Sequence, residues 1–373
     1  MTKEEYRIAI EDVIYLTTCA VNGIVPDQKR TAGMNLSHVY IAAQRHLLTA
    51  AIGMALQAAG FHDAEIAQEM AKVQRKNALL DADRLALFAR LEQAGIWYMP
   101  LKGSVLKEFY PKYGMRQMAD NDILINADKA EEVKTIMESL GFTTEHFGKS
   151  NHDVYYKEPV SNFEIHTALF GPTHEEKIYQ YYRNVKSRLV KDEGNLCGFH
   201  FTPEDFYLYM TAHEYKHFSG GGTGLRSFLD VYIFLKKYHS VLDMTYIESE
   251  AKKLGIEAFE KQSRNLAMHL YGGEPLTETD KETLEYVAMS GVYGTVTHSM
   301  ENKVKKLGGG MKGKIKYFLR RLVLPMDSIK TAYPFIYKHK ILIPFFTIYR
   351  LGKGLIFRRK RVQMELRTLS RMK

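Results

Sequence analysis

The stretch DNDILI, residues 120–125, decides the fold that we expect for this chain of 373 residues. Its apolar second half is typical of a short buried β-strand. Because side chains two positions apart point to the same face of a strand, Asp120 and Asp122 are predicted to lie side by side. Two such carboxylates repel each other unless a cation lies between them, and Mg²⁺ shared with substrate phosphates is the usual cation. The stretch therefore predicts metal-dependent phosphate chemistry.

A glycine–serine turn ends sixteen residues before the first of these acidic residues. It follows an apolar strand candidate, residues 96–101, and precedes a short helical run. Gly103 would let the backbone approach a phosphate closely, and the Ser104 hydroxyl and the first amides of the helix could bind a terminal phosphate. Lys102 or Arg116 could neutralise the charge of a triphosphate. We therefore expect the turn to bind a nucleotide.

The residues after the acidic strand are predicted to form a helix and three strands, over residues 127–140, 143–147, 152–157 and 162–166. Glu164 and His166 lie two positions apart on the last strand and so share a face. These elements predict a small mixed sheet with helices on one side. Taken alone, each acidic motif is more often a solvated strand face or a helix cap, and only their combination in this order indicates a metal site.

Four segments are predicted along the chain from changes in periodicity and composition. They are an N-terminal helical segment (1–95), an α/β core (96–190), a C-terminal helical domain (191–307) and a basic amphipathic tail (308–373). In the third segment, Thr202 is the expected cap of a helix that begins at Pro203. The predicted fold class is α+β, with a small mixed β-sheet core flanked by N- and C-terminal helical segments.

At these motifs the chain resembles the DNA polymerase β-like nucleotidyltransferases, and more closely their branch of uncharacterised bacterial nucleotidyltransferases. The resemblance extends from about residue 46 to residue 230 and does not include the tail. The matching residues are Asn77, Leu101-Lys102-Gly103, Tyr110-Pro111, Arg116, Asp120-Asn121-Asp122, Glu164-Ile165-His166, His213, His217, Arg226 and Asp230. Two features depart from the usual pattern of the superfamily. The gap between the turn and the acidic pair is longer, and the third acidic residue is Glu instead of Asp.

The resemblance implies an enzyme that moves a nucleoside monophosphate from a nucleoside triphosphate to an unknown acceptor and releases pyrophosphate. Asp120 and Asp122 would hold two Mg²⁺ or Mn²⁺ ions about 3.5–4 Å apart, clamping the attacking and leaving oxygens. Glu164 would complete one metal site and help to orient or deprotonate the acceptor hydroxyl. The alternative is a non-catalytic nucleotide-binding or scaffold protein on the same fold.

A second motif, HEYKH at residues 213–217, matches the His-Glu-x-x-His pattern. On a helix its two histidines lie one turn apart, where they could bind Zn²⁺ with Glu214 as the base of a metallohydrolase. The longer form of the pattern needs a third histidine where this chain has Thr223. The motif therefore makes a zinc hydrolase a second, less favoured alternative.

We favour a role for His213 and His217 in lining the nucleotide site, because the family resemblance runs through the same segment without needing zinc. Arg226 and Asp230 lie one turn apart on the next predicted helix and would line the site with them. A purely structural role for the two histidines stays open.

The positive charge of the chain is concentrated near its end. The net charge is +9, but residues 301–373 carry 20 Lys and Arg against three acidic residues, which leaves residues 1–300 with a net charge of −8. Large apolar side chains are mixed with the basic ones in residues 312–321 and 356–361. Such a tail could lie on an anionic membrane surface or pack against the acidic remainder of the chain, and binding to a nucleic-acid backbone is less favoured.

Other features are typical of a cytoplasmic protein. The two cysteines, Cys19 and Cys197, make no disulfide framework. The N-terminus turns acidic at once, unlike a secretory signal peptide, and no apolar run reaches the roughly 18–20 residues that span a bilayer. We expect a cytoplasmic protein whose tail could bring it into peripheral contact with a membrane.

Overall fold

The computed structural model describes residues 1–172, 175–326, 329–330, 333–357 and 359–371. The chain forms two compact units, Met1–Lys216 with Gly224–Val292 and His217–Thr223 with Tyr293–Lys373. The first unit contains a small mixed sheet and many helices, so the predicted α+β class is confirmed. None of the helices within the described residues combines the length and the apolar character needed to cross a bilayer.

The helices of the described residues are Lys3–Asn22 (α1), Gln28–Ala32 (α2), Leu36–His46 (α3), Thr49–Ala58 (α4), Ala64–Gln93 (α5), Gly103–Leu106 (α6), Ala130–Ser139 (α7), Glu176–Tyr182 (α8), Pro203–Gly220 (α9), Leu225–Tyr238 (α10), Met244–Leu254 (α11), Glu257–Gly272 (α12), Glu278–Ser290 (α13), Val296–Lys306 (α14), Gly310–Leu322 (α15), Pro334–Lys338 (α16), Ile343–Phe357 (α17) and Arg359–Arg371 (α18). The strands are Tyr98–Pro100 (β1), Asn121–Ile125 (β2), Thr143–His146 (β3), His152–Lys157 (β4), Ser161–His166 (β5), Leu189–Lys191 (β6) and Phe199–Phe201 (β7). Arg358, part of the predicted basic segment, lies outside the described residues.

The five-stranded sheet has the order β1-β2-β5-β4-β3. Its central strands β2 and β5 are parallel, whereas the other neighbouring pairs are antiparallel. The parallel pair places Asp122 directly opposite Glu164, and the β4–β5 pair places His152 opposite His166. Polar residues from separate strands are therefore neighbours near the centre of the sheet. A second sheet, formed by β6 and β7, has no counterpart in the sequence-based expectations.

One face of this sheet is packed into an apolar core. Ile123 of β2 and Ile165 of β5 lie in a cluster with buried apolar side chains of α5 and α7. Because side chains alternate along a strand, Asp122, Glu164 and His166 lie on the opposite face. A register shift of one residue would move these polar side chains into the core, so the apolar packing fixes their position.

His46, at the end of α3, is a buried histidine of the first unit. Its Nδ1 atom accepts a hydrogen bond from Leu225 N over 3.1 Å, which leaves Nε2 as the donor to the Tyr6 hydroxyl at 3.2 Å. The Tyr6 hydroxyl in turn donates to Ala288 O over 3.0 Å. This chain of hydrogen bonds joins α1, α3, α10 and α13. Burial, with the neighbouring Arg45 charge, lowers the pKa of His46 to about 4.

We expect the free energy of unfolding to fall as the pH is lowered from about 6.5 to about 4. The unfolded chain binds a proton at His46 more readily than the folded chain does, so acid favours unfolding by up to about 3 kcal/mol. Urea denaturation at several pH values measures this loss. The variant H46N should be less stable at neutral pH and should show a shallower dependence on pH. Equal slopes for both proteins would contradict the assignment.

Candidate active site

Two carboxylates and an imidazole meet on the polar face of β2 and β5. The Nε2 atom of His166 lies 2.8 Å from Asp122 Oδ1 and 3.5 Å from Glu164 Oε2. One ligand atom from each of the three residues lies within 4.8 Å of the others. Asp122 and His166 are buried, whereas the Glu164 side chain keeps 30% of its surface exposed. Within the described part of the chain, no other group of three His, Cys, Asp or Glu side chains comes this close.

Lys102 neutralises the buried carboxylate of Asp122. Its Nζ atom donates to Asp122 Oδ1 over 2.8 Å, from a turn that follows β1 directly. The Lys102 backbone has φ 44°, a left-handed value that residues with a Cβ atom rarely adopt and that costs on the order of 1–3 kcal/mol. The turn therefore contains a strained residue at the point where the Lys102 ammonium reaches Asp122. Asp122, Glu164 and His166 are called the acidic group below.

The three acidic residues differ in their pKa values. Burial acts to raise the pKa of Asp122, but the Lys102 ammonium and His166 outweigh it and hold that pKa well below its usual range. For Glu164, the hydrogen bond from His166 is the main cause of a lowered pKa. Burial raises the pKa of Asp120 to about 6, and the negative charges of Asp122 and Glu164 add to this effect. Negative charge therefore accumulates beside Asp120, where a cation would be favoured.

Asp120 is placed differently from the other two predicted acidic residues, Asp122 and Glu164. Asp120 lies one residue before β2, is partly buried and does not belong to the group formed by Asp122, Glu164 and His166. Its link to that group is the charge interaction with Asp122 and Glu164. The structure thus brings two of the three predicted carboxylates within 4.8 Å of each other and adds an imidazole to them.

His152 is a site residue that the sequence analysis missed. Its Nε2 atom lies 3.8 Å from Glu164 Oε2, and its ring centroid lies 5.1 Å from that of His166. Burial lowers the pKa of His152, so its neutral form is favoured. The signal that could have found it is the pairing of two predicted strands, which puts His152 opposite His166.

Helix α9 contributes two further residues that the analysis missed. The charges of Lys102, Asp122 and Glu164 act on both Tyr209 and Lys216. Burial lowers the pKa of Lys216, with the Lys102 charge acting in the same direction. The two residues lie seven positions apart and so share one face of the helix. Lys216 therefore lies within range of the charges of Lys102, Glu164 and Asp122.

Gly103 and Ser104, predicted to bind phosphate, serve the local packing of the turn. A Cβ atom at Gly103 would lie 2.5 Å from Arg116 Nη1, so the glycine is needed for this close approach. The buried Ser104 hydroxyl donates to Leu101 O over 2.7 Å. The predicted roles of Gly103 and Ser104 in binding phosphate stay predictions.

Arg116 and Asp230, assigned to the nucleotide by the sequence analysis, bind each other. Nε and Nη2 of Arg116 each donate to a different oxygen of Asp230 over 2.8 Å, and the Tyr110 hydroxyl donates to the same carboxylate over 2.7 Å. The remaining nitrogen, Nη1, contacts Met118 Sδ at 3.2 Å. Both charged side chains are buried, and they form an ion pair. A role beside the nucleotide stays a prediction for both residues.

Arg226 retains a donor that the described residues do not use. Its Nη1 atom donates to Gln117 O over 2.9 Å, but its Nε atom is buried and meets no hydrogen-bond partner in the described part of the chain. The Arg226 charge also acts to lower the pKa of Asp120. Arg226 is therefore a candidate for binding an anion near Asp120.

The two predicted histidines of α9 fall in different units. His213 lies in the first unit, on the helix face that carries Tyr209 and Lys216, with its ring centroid 6.2 Å from that of Tyr209. His217 belongs to the second unit. Its place beside a nucleotide stays a prediction.

A family model described as an uncharacterised nucleotidyltransferase matches residues 33–272, more than half of the chain. The chain belongs to this family. The matched residues include the sheet, the acidic group and α9, and the sequence-based resemblance to uncharacterised nucleotidyltransferases is confirmed. No curated protein and no solved structure matches the chain.

The donor set of this nucleotidyltransferase-family site fits a divalent cation. Asp122 and Glu164 offer carboxylate oxygens, and Asp120 supplies further negative charge beside them. Oxygen donors suit Mg²⁺ and Mn²⁺, and Mn²⁺ also accepts the imidazole nitrogen of His166. The Nδ1 atom of His166 is buried without a hydrogen-bond partner among the described residues, so no carboxylate orients the ring from its far side.

The alternative zinc site has less structural support. His213 and His217 lie on α9, as predicted for the HEYKH motif. A zinc site needs at least three protein ligands. Among the described residues, neither histidine belongs to a close group of three donor side chains.

Proposed function

We propose that the chain is a Mg²⁺- or Mn²⁺-dependent nucleotidyltransferase that moves a nucleoside monophosphate from a nucleoside triphosphate to an acceptor hydroxyl. The single observation that supports this most strongly is the parallel pairing of β2 with β5, which sets Asp122 opposite Glu164 on the polar face of the sheet. Family membership supports the reaction class independently.

Asp122 and Glu164, with Asp120 beside them, would hold the divalent cation. When bound, the cation would neutralise the charge that develops on the reacting phosphate and its oxygens. His166 donates to Asp122 and contacts Glu164, so it would orient both carboxylates toward one point. This arrangement favours a role in positioning for His166.

Two lysines would bind the triphosphate. Lys102 donates to Asp122 from the turn after β1, and Lys216 of helix α9 lies within range of the charges of Asp122 and Glu164. Their charge would stabilise the pyrophosphate as it leaves. Both are compact point charges that suit a flexible triphosphate.

Glu164 is the carboxylate placed to act on the acceptor. It is the exposed member of the acidic group and carries a lowered pKa, so it is ionised at neutral pH. In the proposed reaction the acceptor oxygen attacks the α-phosphorus, and the bond from that phosphorus to the leaving pyrophosphate breaks. The hydroxyl proton passes to Glu164 and then to solvent.

A non-catalytic nucleotide-binding or scaffold protein is the second candidate. It is favoured by the short contact between Lys102 and Asp122, which occupies a carboxylate oxygen that the reaction needs. Free Cys19 and Cys197 fit the reducing cytoplasm, where nucleoside triphosphates are abundant, under either function.

The experiment is calorimetric titration of the full chain with each of the four nucleoside triphosphates, with Mg²⁺ and with EDTA. We expect binding that requires the cation, and pyrophosphate release once a pool of small hydroxyl-bearing metabolites is added.

The variant K216A should weaken triphosphate binding by about tenfold, since it removes one of two charges. K252A, an exposed lysine of α11, is the matched control and should bind as the wild type does. Binding without pyrophosphate from any acceptor pool would favour the scaffold function.

A further inference from the structure

The second unit presents an exposed apolar face on α17. Phe345, Ile348, Tyr349 and Ile356 expose 70%, 70%, 63% and 73% of their surface. Ile348 and Tyr349 follow Phe345 by three and four positions, and Ile356 follows Tyr349 by seven. This spacing places the four residues on one side of the helix. Large apolar side chains that are exposed together mark a binding surface more often than scattered ones do.

Helix α15 repeats this pattern. Met311, Ile315, Phe318 and Leu319 are 68%, 53%, 45% and 56% exposed and again recur at helical spacing. Two amphipathic helices of the same unit therefore expose their apolar sides. Neither stripe is covered by the residues that the structure describes.

The charges around these stripes are almost all positive. Exposed basic residues on or beside the two helices include Lys312, Lys316, Arg320, Lys338, Lys340 and Lys353. Residues 301–373 contain three acidic residues. One of these, Glu365, is buried and accepts from Arg321 at 3.0 and 3.1 Å, so its charge is already compensated.

We propose that the second unit docks on an anionic lipid surface through α15 and α17. The apolar stripes would enter the boundary between headgroups and acyl chains, and the lysines and arginines would extend to the lipid phosphates. Anionic headgroups complement the positive charge, and acyl chains complement the apolar stripes.

Other binding partners would complement either the positive charge or the apolar stripes of the second unit, but not both. A nucleic acid would pair with the basic residues but would set its phosphates against exposed Phe345 and Ile348. A second copy of the chain would cover the apolar stripes but would bring two strongly positive units together. A lipid surface satisfies both, and this inference does not depend on nucleotidyl transfer.

The test is flotation of the full chain with phosphatidylcholine vesicles that contain or lack phosphatidylglycerol. We expect binding to the anionic vesicles that weakens at high salt, and little binding to the neutral ones. The variant F345S/I348S/I356S should lose binding, because it removes the apolar stripe of α17. The variant K338E/K340E/K353E keeps that stripe and should weaken binding by about 100-fold or more.

The matched control is L196S/V241S, which replaces two exposed apolar residues of the first unit that are 76% and 66% exposed. It should bind anionic vesicles as the wild type does, and circular dichroism checks the folding of every variant. Equal binding to neutral vesicles, or unchanged binding of both the serine and the glutamate variants, would overturn the proposal. The proposal would also be overturned if light scattering detected a dimer that F345S/I348S/I356S dissociates. Binding to RNA and not to vesicles would overturn it as well.

Discussion

The variant D122N should lose metal-dependent pyrophosphate release by about 1000-fold. Asp122 is the carboxylate on which the site converges, since Lys102 and His166 both donate to its Oδ1 atom. The amide keeps the shape of the side chain but removes the negative charge that a cation needs. The test is pyrophosphate release with the nucleoside triphosphate and acceptor pool that give the highest wild-type rate, and Mn²⁺ binding is followed separately by electron paramagnetic resonance.

The control for this substitution is D128N, the same chemical change at an exposed residue outside the acidic group. It should retain wild-type release and wild-type Mn²⁺ binding. Because D122N leaves the Lys102 ammonium without its carboxylate partner, E164Q is a second variant with a smaller structural cost. Undiminished release in a folded D122N or E164Q protein would remove the proposed metal site.

The variant D230N should lower the free energy of unfolding by about 3–5 kcal/mol. It leaves the buried Arg116 guanidinium without the carboxylate that accepts two of its hydrogen bonds, and it weakens the acceptor of Tyr110. Removing one member of a buried ion pair costs more than removing both. Urea denaturation at neutral pH measures the effect, independently of any nucleotide.

A double-mutant cycle sharpens this test. R116M/D230L removes both charges and should be less destabilised than the sum of R116M and D230L, because neither partner is left unpaired. The exposed pair Lys129–Glu132 of the α7 region, with both side chains 45% exposed, is the control. E132Q should change stability by less than about 1 kcal/mol. A D230N protein as stable as E132Q would show that the buried pair is not structural.

The central part of the fold could be predicted from the sequence because it depends on local periodicity. Alternation along β2 and β5 separates Ile123 and Ile165, which enter the core, from Asp122 and Glu164, which do not. The order of motifs then indicated that these strands belong to one sheet. The meeting of two carboxylates follows from the strand register, which the apolar face fixes.

The remaining parts of the site depend on contacts between residues far apart in the chain. Arg116 and Asp230 are 114 residues apart, and only the packing of α10 against the turn region shows that they neutralise each other. In the sequence alone, Arg116 and Asp230 each look like a charged residue that is available to a ligand. Lys216 lies inside a motif that suggests zinc, and only the folded chain brings it within range of the charges of Asp122 and Glu164.

The contact between Lys102 and Asp122 has a consequence for the order of binding. The ammonium contacts the Asp122 oxygen that the proposed ion would use, so Lys102 acts as an internal counter-ion. A free ion would have to displace this group, which would lower the affinity for the ion alone. A bound triphosphate would offer Lys102 a new anionic partner and so release the carboxylate. The ion and the nucleotide would therefore enter as one complex, and idle loading of the resting protein would be suppressed.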